Sequence, residues 1–296
     1  MSETIGMIGL GNMGTPIAEN IQRAGYSLKV YNRTASKAAA LVASGAKSVS
    51  AAAEVASKGG IVITMVSDDK ALKALCSGPD SFVSRLGAGG IHISMSTIAP
   101  ATARRLAAQH EMLNVAYVAA PVFGRPEAAA ARQLAVCVSG PAAARTKVSP
   151  ILAAVGRSIF EFGEDPGAAN VVKLCGNFLL ASAVEALAEA FTLAEKNGIE
   201  RTRVLKMLTQ TLFPCPVYQG YGQRIAEHSY EPAGFRLALG FKDINLVLQT
   251  AAEVQMPMPT ASLLHDRWLS AMAKKRENLD WAAVALGVSE DAGIRV

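Results

Sequence analysis

The chain has 296 residues, of which 51% are hydrophobic and 18% carry a charge. This composition excludes an intrinsically disordered protein, which lacks the apolar residues needed to form a core, and the length suits two ordinary domains. The net charge is +5, but the basic residues are scattered along the chain, so the sequence lacks the concentrated basic face of a nucleic-acid-binding protein and favours a small anionic ligand.

The first half of the chain alternates between strand-like and helix-like patterns. Strands are predicted at 4–9, 27–32, 60–67, 90–96 and 115–122, and the helical patterns between them include 12–24 and 35–44. Such alternation is typical of β-α-β units in a mostly parallel sheet. Two further strands are predicted at 133–140 and 158–163.

Beyond residue 163 nearly every segment has a helical pattern, interrupted by prolines. We therefore predict an α/β domain over residues 1–162 and an all-helical domain over residues 163–296. The most apolar stretch, 174–194, contains Glu185 and Glu189. These two charges predict a buried helix of a soluble protein rather than a membrane span.

The four cysteines and four histidines are dispersed along the chain and include no Cys-x-x-Cys pair. This spacing predicts neither a metal site nor a disulfide framework. The first residues lack a basic segment and a cleavage site, so no signal peptide is predicted. A cytoplasmic location is expected.

Gly9, Gly11 and Gly14 match the pattern G-x-G-x-x-G between a predicted strand and a predicted helix. In this motif the first glycine allows a tight turn, the second lets the backbone approach a pyrophosphate, and the third lets the helix pack closely on the strand. The free N–H groups at the helix N-terminus also favour phosphate binding. The motif predicts a dinucleotide site; a turn that is merely rich in glycine is the alternative.

The second predicted strand ends at Asn32, Arg33 and Thr34. An NAD-binding unit usually has Asp or Glu near this position, where the carboxylate accepts a hydrogen bond from the ribose 2′-OH. Here there is no carboxylate, and the guanidinium of Arg33 suits a 2′-phosphate. NADP(H) is therefore the predicted cofactor, and a surface arginine without this role is the alternative.

Lys173 is the one charged residue between residues 166 and 184. With Asn170 and Asn177 it forms a polar stripe on a helix that is otherwise apolar. A lysine removed from water near other positive charge has a lowered pKa and can exchange protons near neutral pH. The alternative is a lysine that extends to solvent from the edge of the helix.

These motifs resemble those of the β-hydroxyacid dehydrogenase family, which includes 3-hydroxyisobutyrate dehydrogenases and tartronate semialdehyde reductases. The resemblance covers the glycine loop, "SMSTIAP" at 94–100, "GAANVVKLCGN" at 167–177 and "FRLALGFKDINLVLQTA" at 235–251. It implies a Rossmann-like α/β N-terminal domain joined by a long interdomain helix to an all-α C-terminal domain. It further implies a homodimer or homotetramer formed through the helical half.

The resemblance implies an NADP-dependent oxidoreductase that interconverts a short semialdehyde or keto acid with the corresponding hydroxy acid. Hydride transfer involves C4 of the nicotinamide, Lys173 is the general acid or base, and Asn177 assists it. Thr97 is expected near the nicotinamide or the substrate carboxylate, Lys242 at the closed cleft, and Asp243 as an orienting residue, with a solvated Lys-Asp pair as the alternative. The candidate cofactor-binding residues are Gly9, Leu10, Gly11, Asn12, Met13, Gly14, Asn32, Arg33, Thr34, Val66, Ser67, Thr97 and Lys242.

The substrate loop departs from the family pattern Asp-Ala-Pro-Val-Ser-Gly-Gly, because Ala119, Phe123 and Arg125 replace the Asp, the Ser and the second Gly. Thr97, Phe123, Gly124 and Arg125 are the candidate substrate-binding residues. Phe123 is expected to form an aromatic wall. Arg125 is expected either to bind a carboxylate or phosphate through its planar guanidinium or to face solvent.

A second pair of aromatic residues, Tyr218 and Tyr221, is expected either at the mouth of the pocket or in the helical core. The altered loop also leaves two other functions open. An imine reductase shares this architecture but commonly lacks the lysine, and a dinucleotide-binding protein without catalytic activity is the third possibility. The expected partner is a small anionic carbonyl or hydroxyacid substrate, without nucleic acid or membrane.

Overall fold

The computed structural model describes residues 3–295, so the outer bounds of the two predicted domains, residues 1 and 296, lie outside it. The chain divides into two compact units: unit 1 ends at Lys173 and unit 2 begins at Leu174. The division falls within the long helix α8 (Ala168–Lys196), C-terminal to the predicted boundary at residue 162.

Unit 1 is built on a six-stranded parallel sheet. Its strands are β1 (Thr4–Ile8), β2 (Ser27–Tyr31), β3 (Lys47–Ser48), β4 (Ile61–Thr64), β5 (Ile91–Ser94) and β6 (Ala116–Ala119). Their order across the sheet is β3-β2-β1-β4-β5-β6. The chain therefore runs outward in opposite directions from the β1–β4 pair, as in a Rossmann-like, doubly wound domain. The predicted parallel sheet is confirmed, with β3 as an unpredicted addition.

The central strands are buried on both faces, because helices cover both sides of a doubly wound sheet. Ile5, Met7, Ile61, Ile63 and Ile93 each expose 2% of their surface or less. The helices of unit 1 are α1 (Gly14–Arg23), α2 (Ala39–Ala43), α3 (Asp69–Cys76), α4 (Phe82–Leu86), α5 (Pro100–Glu111), α6 (Pro126–Ala130) and α7 (Ala142–Val155).

The helical segment predicted at 35–44 is present, but its first turn is a 3₁₀-helix over Ala35–Ala38 that leads directly into α2. A second, unpredicted 3₁₀-helix covers Ala52–Val55. Thr34 makes no side-chain capping hydrogen bond to the first of these. Short 3₁₀ segments are common at such helix ends.

A second sheet of three strands, β7 (Val122–Phe123), β8 (Leu134–Val138) and β9 (Gly156–Glu161), completes unit 1. β7 pairs antiparallel with β8, and β8 pairs parallel with β9. The strand predicted at 115–122 is therefore wrong in its last residues: it ends at Ala119, and the chain changes sheets around Pro121. Proline has no N–H group with which to continue a ladder.

Unit 2 consists of helices, as predicted. After α8 come α9 (Arg201–Gln210), α10 (Pro216–Ala226), α11 (Leu237–Glu253), α12 (Pro259–Ala273) and α13 (Val284–Asp291), with a 3₁₀-helix at Trp281–Ala283. Trp268 and Trp281 are fully buried, with ring centroids 6.1 Å apart. Gly240 of α11 lies against both rings, where a larger side chain would collide with them.

Helix α8 is long and apolar enough to cross a membrane by length and composition alone, with a mean hydropathy of 1.6 over its most apolar window. However, Val184, Leu187 and Phe191 belong to the core of unit 2. Glu185 is also buried, and its Oε1 lies 2.8 Å from Nε of Arg267. Burial raises the pKa of Glu185, while the charge of Arg267 opposes that shift. These contacts account for the apolar residues on the buried face of α8 by packing within unit 2.

The core of unit 1 contains a hydrogen-bonded pair of histidines that spacing along the chain did not predict. His110 Nδ1 lies 2.6 Å from the carbonyl oxygen of Leu106, which can only accept, so this nitrogen carries the proton. His110 Nε2 then accepts from His92 Nδ1 at 2.9 Å. His92 Nε2 in turn accepts from the hydroxyl of Thr64 at 2.9 Å. Burial lowers the pKa of both imidazoles, which favours the neutral rings that this arrangement requires.

Cys76 lies beside this histidine pair, and the three possible metal-ligand atoms are within 4.8 Å of one another. All four ring nitrogens are already engaged with protein atoms. Burial raises the pKa of the Cys76 thiol to about 12, which disfavours the thiolate that binds metals. These properties favour a structural network over a metal site.

We predict that the protein loses stability as the pH falls from about 6.5 to about 4. Burial lowers the pKa of His92 well below its usual value and that of His110 to about 4. The unfolded chain therefore binds protons in this range that the folded chain does not, and acid favours unfolding. For His110 alone the loss amounts to about 3 kcal/mol in the free energy of unfolding.

Urea unfolding measured at several pH values tests this prediction. His110→Gln should reduce the dependence of stability on pH, whereas His265→Gln, on α12, should leave it unchanged. The same pH dependence in His110→Gln and in the parent protein would contradict the prediction.

Candidate active site

The loops that follow β1, β2, β4 and β5 meet at one edge of the parallel sheet. Backbone hydrogen bonds continue the ladder past the strand ends: Gly9 N–H donates to Tyr31 O at 3.0 Å, and Met65 N–H donates to Ile8 O at 2.9 Å. Along this edge the direction in which successive strands are added reverses between β1 and β4. Doubly wound sheets bind their ligands at that point.

The three glycines of the loop after β1 have different structural roles. Gly9 has φ of +97°, and a Cβ there would collide with the carbonyl oxygen of Met65. A Cβ at Gly14 would collide with the carbonyl oxygen of Gly9, so both positions require glycine for the loop to fold. At Gly11, by contrast, an added Cβ would have no atom of the described residues within 4 Å. The second glycine thus leaves its backbone open to a ligand, as a pyrophosphate needs, and the loop fits a dinucleotide.

Asn32 joins the glycine loop to the turn after β2. Leu10 N–H donates to Asn32 Oδ1 at 2.9 Å, and Asn32 Nδ2 donates to Thr34 O at 2.9 Å. Both ends of this amide are therefore used to hold the loops. Arg33 and Thr34 are exposed, and they are the residues of this turn whose side chains extend to solvent.

The loops after β4 and β5 are also tied together. The backbone N–H of Val66 donates to Ser96 Oγ at 2.9 Å, and that of Ala99 donates to Asp69 Oδ1 at 3.1 Å. These bonds position Val66 and the half-buried Thr97, both candidate residues, at the same edge of the sheet. Sequence reasoning missed Ser96 and Asp69, although an Asp in the first turn of a predicted helix is a recognisable signal.

Lys173 is nine-tenths buried, with 8% of its surface exposed, so the alternative of a solvent-exposed lysine is wrong. The first turn of α8 is attached to the second sheet, because Ala169 N–H donates to Ser139 Oγ at 3.1 Å. One turn further on, Lys173 Nζ lies over the ring of Phe123, 4.0 Å from its centroid. Burial raises the pKa of Cys137, also in the second sheet, and the charge of Lys173 opposes that shift.

The loop that carries Phe123 needs the glycine that follows it. Gly124 has φ of +138°, and a Cβ there would collide with the side chain of Leu134. Arg125 lies at the start of α6 and is half-buried rather than fully exposed. Its role in binding substrate stays a prediction.

In unit 2 the structure brings Asn177, Lys242 and Asp243 together. Asn177 Nδ2 donates to Asp243 Oδ2 at 2.6 Å, and Lys242 Nζ lies 2.8 Å from Asp243 Oδ1. Asp243 is 2% exposed, so the alternative of a solvated Lys-Asp pair is wrong. Asp243 fixes the orientation of the Asn177 amide. Asn177 follows Lys173 by one turn of α8, on the same face of the helix.

The two tyrosines of α10 pack within unit 2. Tyr221 is 8% exposed, and its ring centroid lies 5.6 Å from that of Trp281. Tyr218 stacks on Phe213, with ring centroids 4.5 Å apart. The prediction that Tyr221 lies in the helical core is confirmed, and the alternative prediction that it lies at the mouth of the pocket is wrong.

A G-x-G-x-x-G loop at the switch point of a doubly wound sheet defines a dinucleotide-binding domain, and the helical unit that follows it is typical of a class of dehydrogenases. Residues 4–163 match the family model of the NAD-binding domain of 6-phosphogluconate dehydrogenase. Residues 167–286 match that of the NAD-binding domain of NADP-dependent 3-hydroxyisobutyrate dehydrogenase. The chain belongs to the β-hydroxyacid dehydrogenase family, as its motifs predicted.

Individual relatives agree with this assignment over nearly the whole chain. The uncharacterized oxidoreductase YfjR of Bacillus subtilis is 44% identical over 95% of this chain and 98% of its own. The 3-hydroxyisobutyrate dehydrogenase of Pseudomonas aeruginosa is 32% identical over 95% and 96%. The crystal structure of 3-hydroxyisobutyrate dehydrogenase from Salmonella typhimurium matches with a TM-score of 0.87 at 28% identity, covering 96% of this chain and 99% of that one.

We predict that Gly11→Ala weakens NAD(P) binding by roughly tenfold or more without lowering the thermal unfolding midpoint. The added methyl group meets no atom of the described residues within 4 Å, but it obstructs the open backbone that the second glycine of this motif offers to a pyrophosphate. Fluorescence titration with the cofactor and thermal unfolding measure the two effects. Gly220→Ala, where an added Cβ also meets nothing, should leave cofactor binding unchanged, and Gly14→Ala should lower the unfolding midpoint. Parent-like binding by Gly11→Ala would contradict the assignment.

Proposed function

We propose that the protein is an NADPH-dependent reductase that interconverts a short semialdehyde or keto acid with the corresponding hydroxy acid. Membership of the β-hydroxyacid dehydrogenase family supports the reaction class. The observation that carries the proposal is the burial of Lys173 on an apolar helix, because withdrawing a lysine from water is costly and buried ionisable groups concentrate at functional sites.

In this proposal Lys173 donates a proton to the alkoxide that forms when the carbonyl is reduced, and it removes that proton in the reverse direction. The cofactor, when bound, supplies or accepts the hydride. Asn177, whose amide Asp243 orients, assists by hydrogen bonding to the reacting hydroxyl or to the lysine. Lys242, which is ion-paired with Asp243, is proposed as a cofactor-binding residue at the closed cleft.

Substrate selection is assigned to Thr97, Phe123, Gly124 and Arg125. Arg125 offers a planar guanidinium to a carboxylate, and a half-buried position strengthens such a contact relative to one in open solvent. Phe123 adds an apolar surface to the loop. Together they favour a small substrate that has one anionic end and one carbonyl carbon.

We predict that Lys173→Ala lowers turnover by about 10²–10⁴-fold, the usual contribution of general acid–base catalysis, with little change in cofactor affinity. NADPH oxidation should be followed with glyoxylate and with tartronate, methylmalonate and succinate semialdehydes. Cyclic imines belong in the same panel. Cofactor affinity is measured separately by titration.

The panel separates the proposal from its alternatives. Turnover of a semialdehyde that is lost in Lys173→Ala supports the proposal. Turnover of imines alone would indicate an imine reductase, and tight cofactor binding without turnover of any compound would indicate a non-catalytic protein. Either result contradicts the proposal, as does parent-like turnover by Lys173→Ala.

The preference for NADPH is assigned to Arg33, together with Thr34. Of the three residues after β2, Asn32 is already engaged with the glycine loop and the turn. The exposed guanidinium of Arg33 is therefore the group suited to a 2′-phosphate.

We predict that Arg33→Ala reduces the preference for NADPH over NADH by roughly tenfold to a hundredfold, the range expected for a hydrogen-bonded contact to a charged group. Steady-state kinetics with both cofactors measure the ratio of their kcat/KM values. Lys37→Ala removes a neighbouring exposed cation and should leave the ratio unchanged. A parent enzyme that uses both cofactors equally would contradict the proposal before any variant is made.

We also propose a homodimer or homotetramer formed through unit 2, in the cytoplasm, without nucleic acid or membrane. Helix α8 supports the oligomer, since Leu179 and Leu193 are 64% and 67% exposed. Ala186 and Ala190 lie between them on the same exposed stripe. A second copy of the chain would cover this apolar surface.

A further inference from the structure

We infer that Phe123 is a positioning residue for Lys173: its aromatic face holds the lysine ammonium and favours the protonated form. The inference rests on the proposed function, because it assigns a reason for the protonation state of the proposed acid. It concerns only residues of unit 1.

The contact has the geometry of a cation–π interaction. Lys173 Nζ lies over the ring, 4.0 Å from the centroid, well within the distance at which the negative potential of the ring face attracts a cation. Lys173 is 8% exposed, so water screens this attraction less than at a surface. Such contacts are stronger where the cation is removed from solvent.

The backbone holds the ring in this place. Phe123 is the second residue of β7 and pairs with Ala135 of β8. Its side chain packs on a buried cluster that includes Ile98, Tyr117 and Ala169. Since Ala169 belongs to the first turn of α8, the cluster connects the strand that carries the ring with the helix that carries the lysine.

Cys137, Asn170 and Arg125, which lie near Lys173 or Phe123 in the fold or along the chain, carry no negative charge that would attract the ammonium. Cys137 faces it from β8, and burial raises the pKa of that thiol, which keeps it neutral. Asn170, one turn earlier on α8, is uncharged. Arg125, two residues after Phe123, has the same charge as the ammonium and does not stabilise it.

The electrostatic potential of the ring face determines the direction in which a change of the ring shifts the pKa of Lys173. Removing its negative potential while keeping its shape weakens the protonated form and lowers the pKa of Lys173. A residue that only fills space would not show this dependence. A positioning role and a purely space-filling role are therefore distinguished by substitutions that change the electron distribution of the ring more than its volume.

The test replaces Phe123 with mono-, tri- and pentafluorinated phenylalanine by amber suppression. The rate of reductive methylation of Lys173 is measured in the cofactor-free protein at fixed pH by peptide mass spectrometry. Because the neutral amine reacts, the rate should rise stepwise with fluorination, by about twofold to thirtyfold in the last member. In the same series the alkaline limb of the kcat profile should move to lower pH, with the KM for NADPH unchanged.

Substitutions by standard amino acids provide the controls. Phe123→Tyr retains the aromatic face and should keep the labelling rate of Lys173 close to that of the parent, whereas Phe123→Leu should raise that rate as the fluorinated residues do. Phe162→Leu removes a ring of the same size from the same cluster and should leave the reactivity of Lys173 unchanged.

The two measurements separate failure of this inference from failure of the proposed function. Labelling that does not change across the fluorinated series overturns the inference, even where Lys173→Ala abolishes turnover and the proposed function stands. Labelling that follows fluorination while turnover survives Lys173→Ala supports the contact and overturns the proposed function.

Discussion

Withdrawing a lysine from water is costly unless its surroundings compensate for the lost hydration, and the candidate site of unit 1 is arranged around this constraint. The first turn of α8 is attached to Ser139 at the end of β8, which fixes where Lys173 enters the protein. The edge of the second sheet then presents the ring of Phe123 to its ammonium. The short strand β7, at first sight a minor feature, is what places that ring.

In unit 2 a carboxylate is withdrawn from water, and its surroundings compensate for the lost hydration. Asp243 is almost completely buried, and its two oxygens face Asn177 and Lys242. The carboxylate is thus neutralised and hydrogen-bonded by residues of the same unit, as buried charges require. One consequence is that the amide of Asn177 cannot rotate freely, so a residue one turn from Lys173 has a fixed donor direction.

Local patterns in the sequence predicted the parallel sheet, the glycine loop and the helical second half, because each depends on the periodicity of neighbouring residues or on a short motif. Gly9 and Gly14 are required by backbone contacts within the loop region itself, and the motif encodes them directly. The polar stripe with Lys173 was visible for the same reason. Its burial supports the interpretation that spacing alone left open.

Features that depend on distant parts of the chain were not predictable in this way. Phe123 and Lys173 are separated by fifty positions, and their contact depends on a two-residue strand that pairs with a different sheet from the one its pattern indicated. Likewise His92 and His110 meet because α5 packs against β6, the neighbour of β5 in the sheet, and the spacing of the two histidines along the chain does not predict their hydrogen bond. Phe123 was recognised as unusual, but its effect on the lysine required the fold.

The histidine pair and Lys173 are thus two physically different kinds of buried polar group in unit 1. The histidine pair satisfies every ring nitrogen with neutral partners, so burial lowers the pKa of both rings and removes them from proton exchange near neutral pH. Lys173 instead meets an aromatic face, which attracts a cation without accepting its proton. In our proposal, a lysine held in this way keeps a proton that it can give to a ligand, so Lys173 combines burial with acid–base chemistry.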